Sequence, residues 1–141
     1  MSLVYWDTML FIYWLEAHPK HGVQVQQVYR RMVQRGDQLC TSVFTMGEVL
    51  TGAYKTGHQS AAEQIRKYFE SGSVRMLPFN LAAADRYAKI RAQHRVSPAD
   101  AIHLATASLA QVDVYISNDQ HLKRLLIDGI QFIVGLDASI F

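Results

Sequence analysis

Four of the twelve acidic residues stand where carboxylates could do chemistry: Asp7, Glu48, Asp100 and Asp119. Asp7 is the hardest to explain as a purely structural residue, because apolar residues flank it on both sides in LVYWDTMLFI. A buried carboxylate without a partner is costly, so Asp7 needs a hydrogen-bonding pocket or a cation. Four carboxylates at one edge of a fold would also repel one another and raise the pKa of at least one of them.

A hard divalent cation would remove this conflict between the acids. Mg²⁺ and Mn²⁺ favour oxygen ligands, and Mg²⁺ is typically held by one or two carboxylates together with waters and substrate phosphates. A site of carboxylates without His or Cys suits phosphodiester hydrolysis, in which the metal generates hydroxide and neutralises charge on the phosphate. The residue types therefore indicate a Mg²⁺- or Mn²⁺-dependent phosphodiesterase.

Three of the four acids also have a structural interpretation. Residues 45–48 (TMGE) and 97–100 (SPAD) both fit a helix-capping pattern with the acid at the third helical position. Asn118 and Asp119 form a common turn pair. Taken singly, Glu48 and Asp100 are explained as well by capping as by catalysis, and Asp119 is explained better by a turn.

The elements that must position these acids alternate between strands and helices. Apolar runs bounded by turn residues predict five strands, at residues 3–6, 38–43, 74–77, 112–117 and 130–134. Helical spacing and end signals predict helices at residues 8–16, 22–35, 45–55, 60–70, 81–94, 98–110 and 121–127. This alternation predicts an α/β fold with a mostly parallel central sheet of about four to five strands and helices on both faces.

The predicted sheet places all four acids on one side. Ligands bind beyond the carboxyl ends of the strands in open α/β sheets. Asp7 and Asp119 directly follow predicted strands, and Glu48 and Asp100 lie near the beginnings of predicted helices. The other acids fall on helix surfaces or remote loops.

Composition bounds the class of protein. The 141 residues, half of them apolar, contain no repeat or linker, so residues 1–141 are expected to form one ordered domain. A net charge of +2 is lower than a dedicated nucleic-acid coat would carry. Cys40 is the single cysteine, and neither a membrane-length apolar run nor a signal peptide is present, so a cytoplasmic location without a membrane partner is expected.

Four segments resemble the motifs of PIN-domain nucleases, in the same order along the chain. LVYWDT (residues 3–8) resembles their opening strand with its Asp and Thr or Ser, and TMGEVLTG (45–52) looks like their Glu helix. DAIHLATA (100–107) is very similar to their most specific segment, and YISND (115–119) resembles their strand end. Together the motifs span nearly the whole chain and imply a single PIN-like domain.

The resemblance implies an acidic quartet: Asp7, Glu48, Asp100 and Asp119. Asp7 and Asp100 would be the primary ligands of Mg²⁺ or Mn²⁺. Glu48 and Asp119 would complete the site and orient water. The implied activity is that of a metal-dependent endoribonuclease, and RNA rather than DNA is an expectation from the resemblance alone.

Several residues near the quartet receive supporting roles. By the same resemblance, the hydroxyls of Thr8 and Ser117 would support Asp7 and the substrate phosphate, with Ser117 standing where the family commonly has Thr. His103 can share a helix face with Asp100, and a structural role is favoured for it over catalysis. Phosphate contacts need cations, and Lys123 and Arg124 are best placed to hold RNA, although an ordinary solvated surface explains them equally well.

Short single-domain PIN proteins are typically VapC-like toxins of toxin–antitoxin pairs. The resemblance therefore implies a homodimer and a cognate antitoxin whose C-terminal tail occupies a groove and the acidic pocket. The apolar segment 9–15 and the aromatic residues Tyr54, Tyr68 and Phe69 could supply groove and dimer surfaces. A place in the core is the alternative, and it is expected for most of them.

Other Asp-based folds fit less well. A haloacid-dehalogenase-like phosphatase would need a second Asp two residues after Asp7, where Met9 stands, and the acidic pair and late Lys of a receiver domain are missing. The remaining alternative is a catalytically silent PIN-like scaffold that binds RNA or a protein partner. The presence of all four acids argues against that alternative.

Overall fold

The computed structural model describes residues 1–137. Within this range the chain forms five strands: β1 (Leu3–Trp6), β2 (Gln38–Ser42), β3 (Arg75–Leu77), β4 (Val114–Ile116) and β5 (Phe132–Val134). The same range contains six α-helices: α1 (Thr8–Leu15), α2 (His21–Arg35), α3 (Val43–Lys55), α4 (Gln59–Glu70), α5 (Leu81–Gln93) and α6 (Pro98–Leu109). The predicted alternation of strands and helices is confirmed.

All five strands pair in parallel, in the order β3-β2-β1-β4-β5. The chain runs outward from the central strand β1 through β2 to β3, and then returns to the other side of β1 to form β4 and β5. This reversal creates a topological switch point between β1 and β4, where open α/β sheets bind their ligands.

Both faces of the sheet are covered, as predicted for a parallel sheet. Side chains alternate along β1, so Val4 and Trp6 enter one apolar core while Tyr5 enters the other. Cys40 lies in the same core as Tyr5, where burial raises the pKa of its thiol to about 12. No helix within residues 1–137 combines the length and apolarity that a membrane crossing needs.

The predicted helix at residues 121–127 is wrong. A single 3-10 turn, Leu122–Arg124, replaces it, and Leu125 continues in an extended conformation. Leu122 and Ile127 both insert into the core on the Tyr5 face, whereas residues five positions apart would lie about 140° apart around a continuous helix. Tertiary packing here overrides the local helical spacing.

Gly129 closes the turn that leads into β5. Its φ is +89°, and a Cβ built there would overlap the carbonyl oxygen of Ser108. Gly57 also has a positive φ, +73°, but a Cβ there would meet nothing within 4 Å.

We expect Gly129→Ala to lower the free energy of unfolding by about 3 kcal/mol, because backbone strain and steric overlap add. The matched control Gly57→Ala should lower the free energy of unfolding by only about 1 kcal/mol, which is the cost of the left-handed backbone conformation. Urea unfolding of both variants measures the difference, and equal losses would contradict the close approach at Ser108.

Candidate active site at the switch point

Asp7 and Ser117 directly follow the neighbouring strands β1 and β4, so they lie next to each other at one end of the sheet. Trp6 pairs with Ile116 at the ends of β1 and β4, and the Asp7 amide donates a further hydrogen bond to the Ile116 carbonyl at 3.3 Å. Ser117 is completely buried, and its amide bonds to the Val134 carbonyl at 2.9 Å. The parallel register of β1 and β4 therefore fixes both residues at the switch point.

Asp7 carries a buried oxygen without a hydrogen bond. It occupies the N-cap position of α1, but its side chain does not cap the helix, and Oδ1 has no partner among the described residues. Burial raises the pKa of its carboxyl to about 6, although the Ser117 hydroxyl and the nearby His103 favour the charged form. Asp7 is thus poised to receive a proton or a cation.

Glu48 does not cap its helix, so the capping interpretation of residues 45–48 is wrong. Helix α3 begins at Val43, and the Ser42 hydroxyl caps it by accepting a hydrogen bond from the Phe44 amide at 3.0 Å. Glu48 consequently lies in the second turn, where its side chain reaches inward toward α1 and α6.

Two donors converge on one oxygen of Glu48. Oε1 accepts hydrogen bonds from Thr8 Oγ1 at 2.5 Å and from His103 Nε2 at 2.8 Å. Burial raises the pKa of Glu48, but these two hydrogen bonds outweigh it, and the net pKa is lowered. Thr8 therefore supports Glu48 in this arrangement, whereas the sequence predicted that it would support Asp7.

Asp100 lies in the first turn of α6. Ser97 caps this helix, and its hydroxyl accepts a hydrogen bond from the Asp100 amide at 3.1 Å, so the predicted cap of α6 is confirmed. Burial raises the pKa of the Asp100 carboxyl, and the charges of Asp119 and Glu48 raise it further. Ser97 therefore acts on both groups of Asp100, because it accepts from the amide and also favours the charged form of the carboxylate.

Asp119 lies in the exposed loop after β4. Its amide donates to the Ser117 hydroxyl at 3.1 Å, and its Oδ1 accepts from the His121 amide at 2.9 Å. The predicted turn is therefore present, and it holds Asp119 close enough for its charge to raise the pKa of Asp100. The turn and the functional interpretation of Asp119 are compatible.

Lys123 and Arg124, the two basic residues beyond this loop, differ in their exposure to solvent. Lys123 is half-buried, and its Nζ lies close to Gly135. Arg124 is exposed. RNA contacts by either residue stay a prediction.

The four acids fit a metal site of the open type. Burial raises the pKa of the Tyr115 phenol, and the charges of Asp7, Asp100 and Glu48 raise it further, so all three acids act on the same region of the sheet. Within residues 1–137, no three His, Cys, Asp or Glu side chains converge closely enough to cage an ion. A cation held by two carboxylates and completed by water and phosphate is the usual Mg²⁺ arrangement. The unpartnered Asp7 oxygen and the oxygen-only donors fit such an ion.

An apolar groove adjoins Glu48 between α1, α3 and α4. Its volume is about 570 Å³, and Ile12, Leu15, Val49 and Ile65 line much of it. Of the segment 9–15, Leu10 and Phe11 are completely buried, whereas Met9 and Leu15 are exposed. Phe69 is buried in the core, Tyr68 packs against it and Tyr54 is exposed. Ile12, Tyr13 and Trp14 also pack against the core, so most of these residues belong to it, as expected.

The sequence did not reveal the contacts of His103 and Tyr5. A lone His within the apolar, alanine-rich stretch of α6, three residues after Asp100, was the available signal. The residues that His103 contacts are 55 or more positions away in the sequence, so only the fold brings them together.

Several solved structures have a similar fold. VapBC2 from Rickettsia felis, bound to a promoter DNA fragment, superposes with a TM-score of 0.75 at 13% identity, covering 94% of this chain and 98% of that chain. DNA-bound VapBC from Salmonella typhimurium gives 0.70 at 22% identity over 96% and 99%. VapC20 from Mycobacterium tuberculosis, a toxin that cleaves the sarcin–ricin loop, gives 0.68 at 16% identity over 87% and 96%. At these identities the likeness establishes the fold.

The sequence itself gives a family assignment. No curated protein sequence matches the chain significantly. The PIN domain family, however, matches residues 4–126, a range that includes all of β1 except Leu3, the strands β2 to β4, the helices α1 to α6 and all four candidate acids. The chain therefore belongs to the PIN domain family.

Proposed function

We propose that the chain is a Mg²⁺- or Mn²⁺-dependent endoribonuclease. The observation that carries this proposal is the buried Oδ1 of Asp7 at the switch point, which has no hydrogen-bond partner among residues 1–137. Burial raises the pKa of this carboxyl, and the nearby charge of Asp100 raises it further. Membership of the PIN domain family supports a nuclease. We propose in addition that the metal is Mg²⁺ or Mn²⁺ and that the substrate is RNA.

Asp7 and Asp100 would hold the metal, with Asp119 supporting it from the loop after β4. A bound divalent ion would supply a water of lowered pKa and a positive charge against the phosphate. Ser117 links the site by hydrogen bonds to both Asp7 and Asp119, so its hydroxyl fixes their spacing. Glu48 stays ionised, and its Oε2 is the oxygen left to take a proton from water.

A toxin of a toxin–antitoxin pair is the cellular role we propose. Solved structures of similar fold support it, since one is a toxin–antitoxin complex from Klebsiella pneumoniae and another is a member of the VapBC family of toxin–antitoxin systems. The groove between α1, α3 and α4 ends at Glu48, so an apolar antitoxin tail lying in it could reach the acids. A homodimer and a cytoplasmic location are further parts of the proposal that rest on the resemblance to VapC-like toxins.

Metal binding can be tested without knowing the RNA. A ligand present at 100 times its dissociation constant stabilises the folded state by about 2.7 kcal/mol. We expect Mg²⁺ or Mn²⁺ to stabilise the wild-type protein by this amount, measured by urea unfolding across a metal titration. Asp7→Asn should abolish the effect, because it removes the charge on the proposed ligand.

The control Glu63→Gln changes an exposed acid of α4 that is ion-paired with Lys67 at 3.5 Å. It should keep the full metal-linked stabilisation. Wild-type protein with no metal-linked stabilisation would favour the alternative, a catalytically silent scaffold that binds RNA or a protein partner.

A further inference from the structure

His103 is a buried polar residue at the meeting point of four elements. It lies on α6 one turn after Asp100, and only 4% of its surface is exposed. Its ring contacts Glu48 of α3, Thr8 of α1 and Tyr5 of β1. A buried histidine with this many polar partners can transmit the position of one element to another.

The hydrogen bonds define the proton arrangement on the imidazole. Nε2 lies 2.8 Å from Glu48 Oε1, and an ionised carboxylate can only accept, so Nε2 carries a proton. Nδ1 lies 2.7 Å from the Tyr5 hydroxyl, which can donate to it. The result is a directed series of donors, in which Tyr5 donates to His103 and His103 donates to Glu48.

Packing prevents the imidazole from turning away from this arrangement. The Phe44 ring contacts it edge-on, with centroids 5.4 Å apart. Tyr5 is completely buried in the central strand and stacks on Tyr115, with centroids 4.9 Å apart and planes within 7°. The donor series therefore begins at a completely buried residue of the central strand and ends on Glu48.

We infer that His103, held by Tyr5, is a positioning residue that fixes the Glu48 carboxylate for RNA cleavage. This inference rests on the proposed nuclease function. His103 and Thr8 together occupy Oε1, which sets the direction of Oε2. Because His103 touches neither substrate nor metal in this account, its loss lowers kcat and leaves the KM for RNA unchanged.

Tyr5→Phe is the most informative variant, because it removes one hydroxyl and keeps the stacked ring. Loss of a residue that orients a site acid typically costs 10- to 100-fold in activity, so we expect kcat to fall about 10-fold. Tyr115→Phe is the matched control. Its ring is equally buried and is the other member of the same stacked pair, but its hydroxyl has no hydrogen-bond partner among residues 1–137. The kcat of Tyr115→Phe should fall by less than about twofold.

Two further variants separate positioning from packing. His103→Leu removes the donor and should lower kcat about 100-fold, whereas His103→Gln places an amide N–H near the position of Nε2 and should recover much of the activity. In a Glu48→Gln background, Tyr5→Phe should have no further effect on kcat, since residues that act through one another are not additive. Equal losses in both backgrounds would overturn the inference.

Nitrogen NMR of the metal-free protein provides a readout that is independent of cleavage. We expect a proton on Nε2, facing Glu48, and none on Nδ1, facing Tyr5, whereas Tyr5→Phe should let the proton distribute over both nitrogens. A proton fixed on Nδ1 would overturn the donor series. Wild-type protein that cleaves no RNA would contradict the proposed nuclease function. If the wild-type protein cleaves RNA and Tyr5→Phe cleaves it equally fast, only the positioning role of His103 would be overturned.

Discussion

Replacement of Asp100 by Asn is expected to reduce RNA cleavage at least about 1,000-fold. The substitution removes a negative charge at nearly constant shape, so the proposed metal loses one of its two main ligands. Electrostatic groups at the reacting centre commonly contribute this much to a rate. The measurement is the single-turnover cleavage rate of one RNA that the wild-type protein cuts.

Folding should not explain the loss in Asp100→Asn. Burial and neighbouring acids raise the pKa of Asp100, so its ionised form is already unfavourable in the folded protein. Asn should therefore leave thermal stability equal or higher. Glu63→Gln, on the exposed surface of α4, should cleave within about twofold of wild type. Retained cleavage in Asp100→Asn would contradict its assignment as a metal ligand.

Replacement of Asp7 by Asn is expected to stabilise the metal-free protein while it abolishes metal binding. The pKa of Asp7 is about 6 in the folded protein, compared with about 3.9 in an unfolded chain. Between these values the folded state holds the proton that the unfolded state has released. Stability therefore falls as the pH rises from about 4 to about 6, and the ionised carboxylate costs about 3 kcal/mol above that range.

Asn has no charge to bury, so this cost disappears in the variant. With EDTA present, the two proteins should unfold at similar urea concentrations at pH 4. At pH 7, Asp7→Asn should be more stable than wild type by up to about 3 kcal/mol. A difference that stays constant with pH, or a less stable variant at pH 7, would show that burial does not raise the pKa of Asp7. Such opposite effects on stability and function are typical of active sites.

The sequence predicted the fold well because its apolar pattern agrees with its turn residues and helix-end signals. β1 follows the run LVYW, and α2 ends before Gly36, which adopts the left-handed conformation expected after a helix. The Ser97 cap of α6 was also predictable from local sequence. These features depend on neighbours along the chain.

The errors arise where distant contacts decide the local structure. Ser42 rather than Thr45 caps α3, because Thr45 turns inward and its hydroxyl lies 2.6 Å from that of Thr41 in β2. Residues 121–127 have helical spacing, but Leu122 and Ile127 are both needed in the core. Neither the inward orientation of Thr45 nor the burial of both Leu122 and Ile127 can be predicted from neighbouring residues in the sequence.

The proximity of the four candidate acids was predictable from the sequence, and their hydrogen bonds were not. The sheet order brings the carboxyl ends of β1 and β4 together, so strand prediction alone was enough to group Asp7 with Asp119. The direction of each carboxylate depends on its donors, namely Ser117 for Asp7 and His103 for Glu48. The pairing of Glu48 with His103 joins positions 55 residues apart, which a single sequence does not encode in any visible pattern.

The most direct test of the central claim is the metal dependence of RNA cleavage by the wild-type protein. Purified protein would be incubated with total cellular RNA, which contains transfer, ribosomal and messenger species, in Mg²⁺, in Mn²⁺ and in EDTA. We predict discrete cuts with either metal, none in EDTA, and recovery when excess Mg²⁺ is restored. Cleavage that persists in EDTA, or no cleavage in any of the three conditions, would contradict a carboxylate–metal ribonuclease.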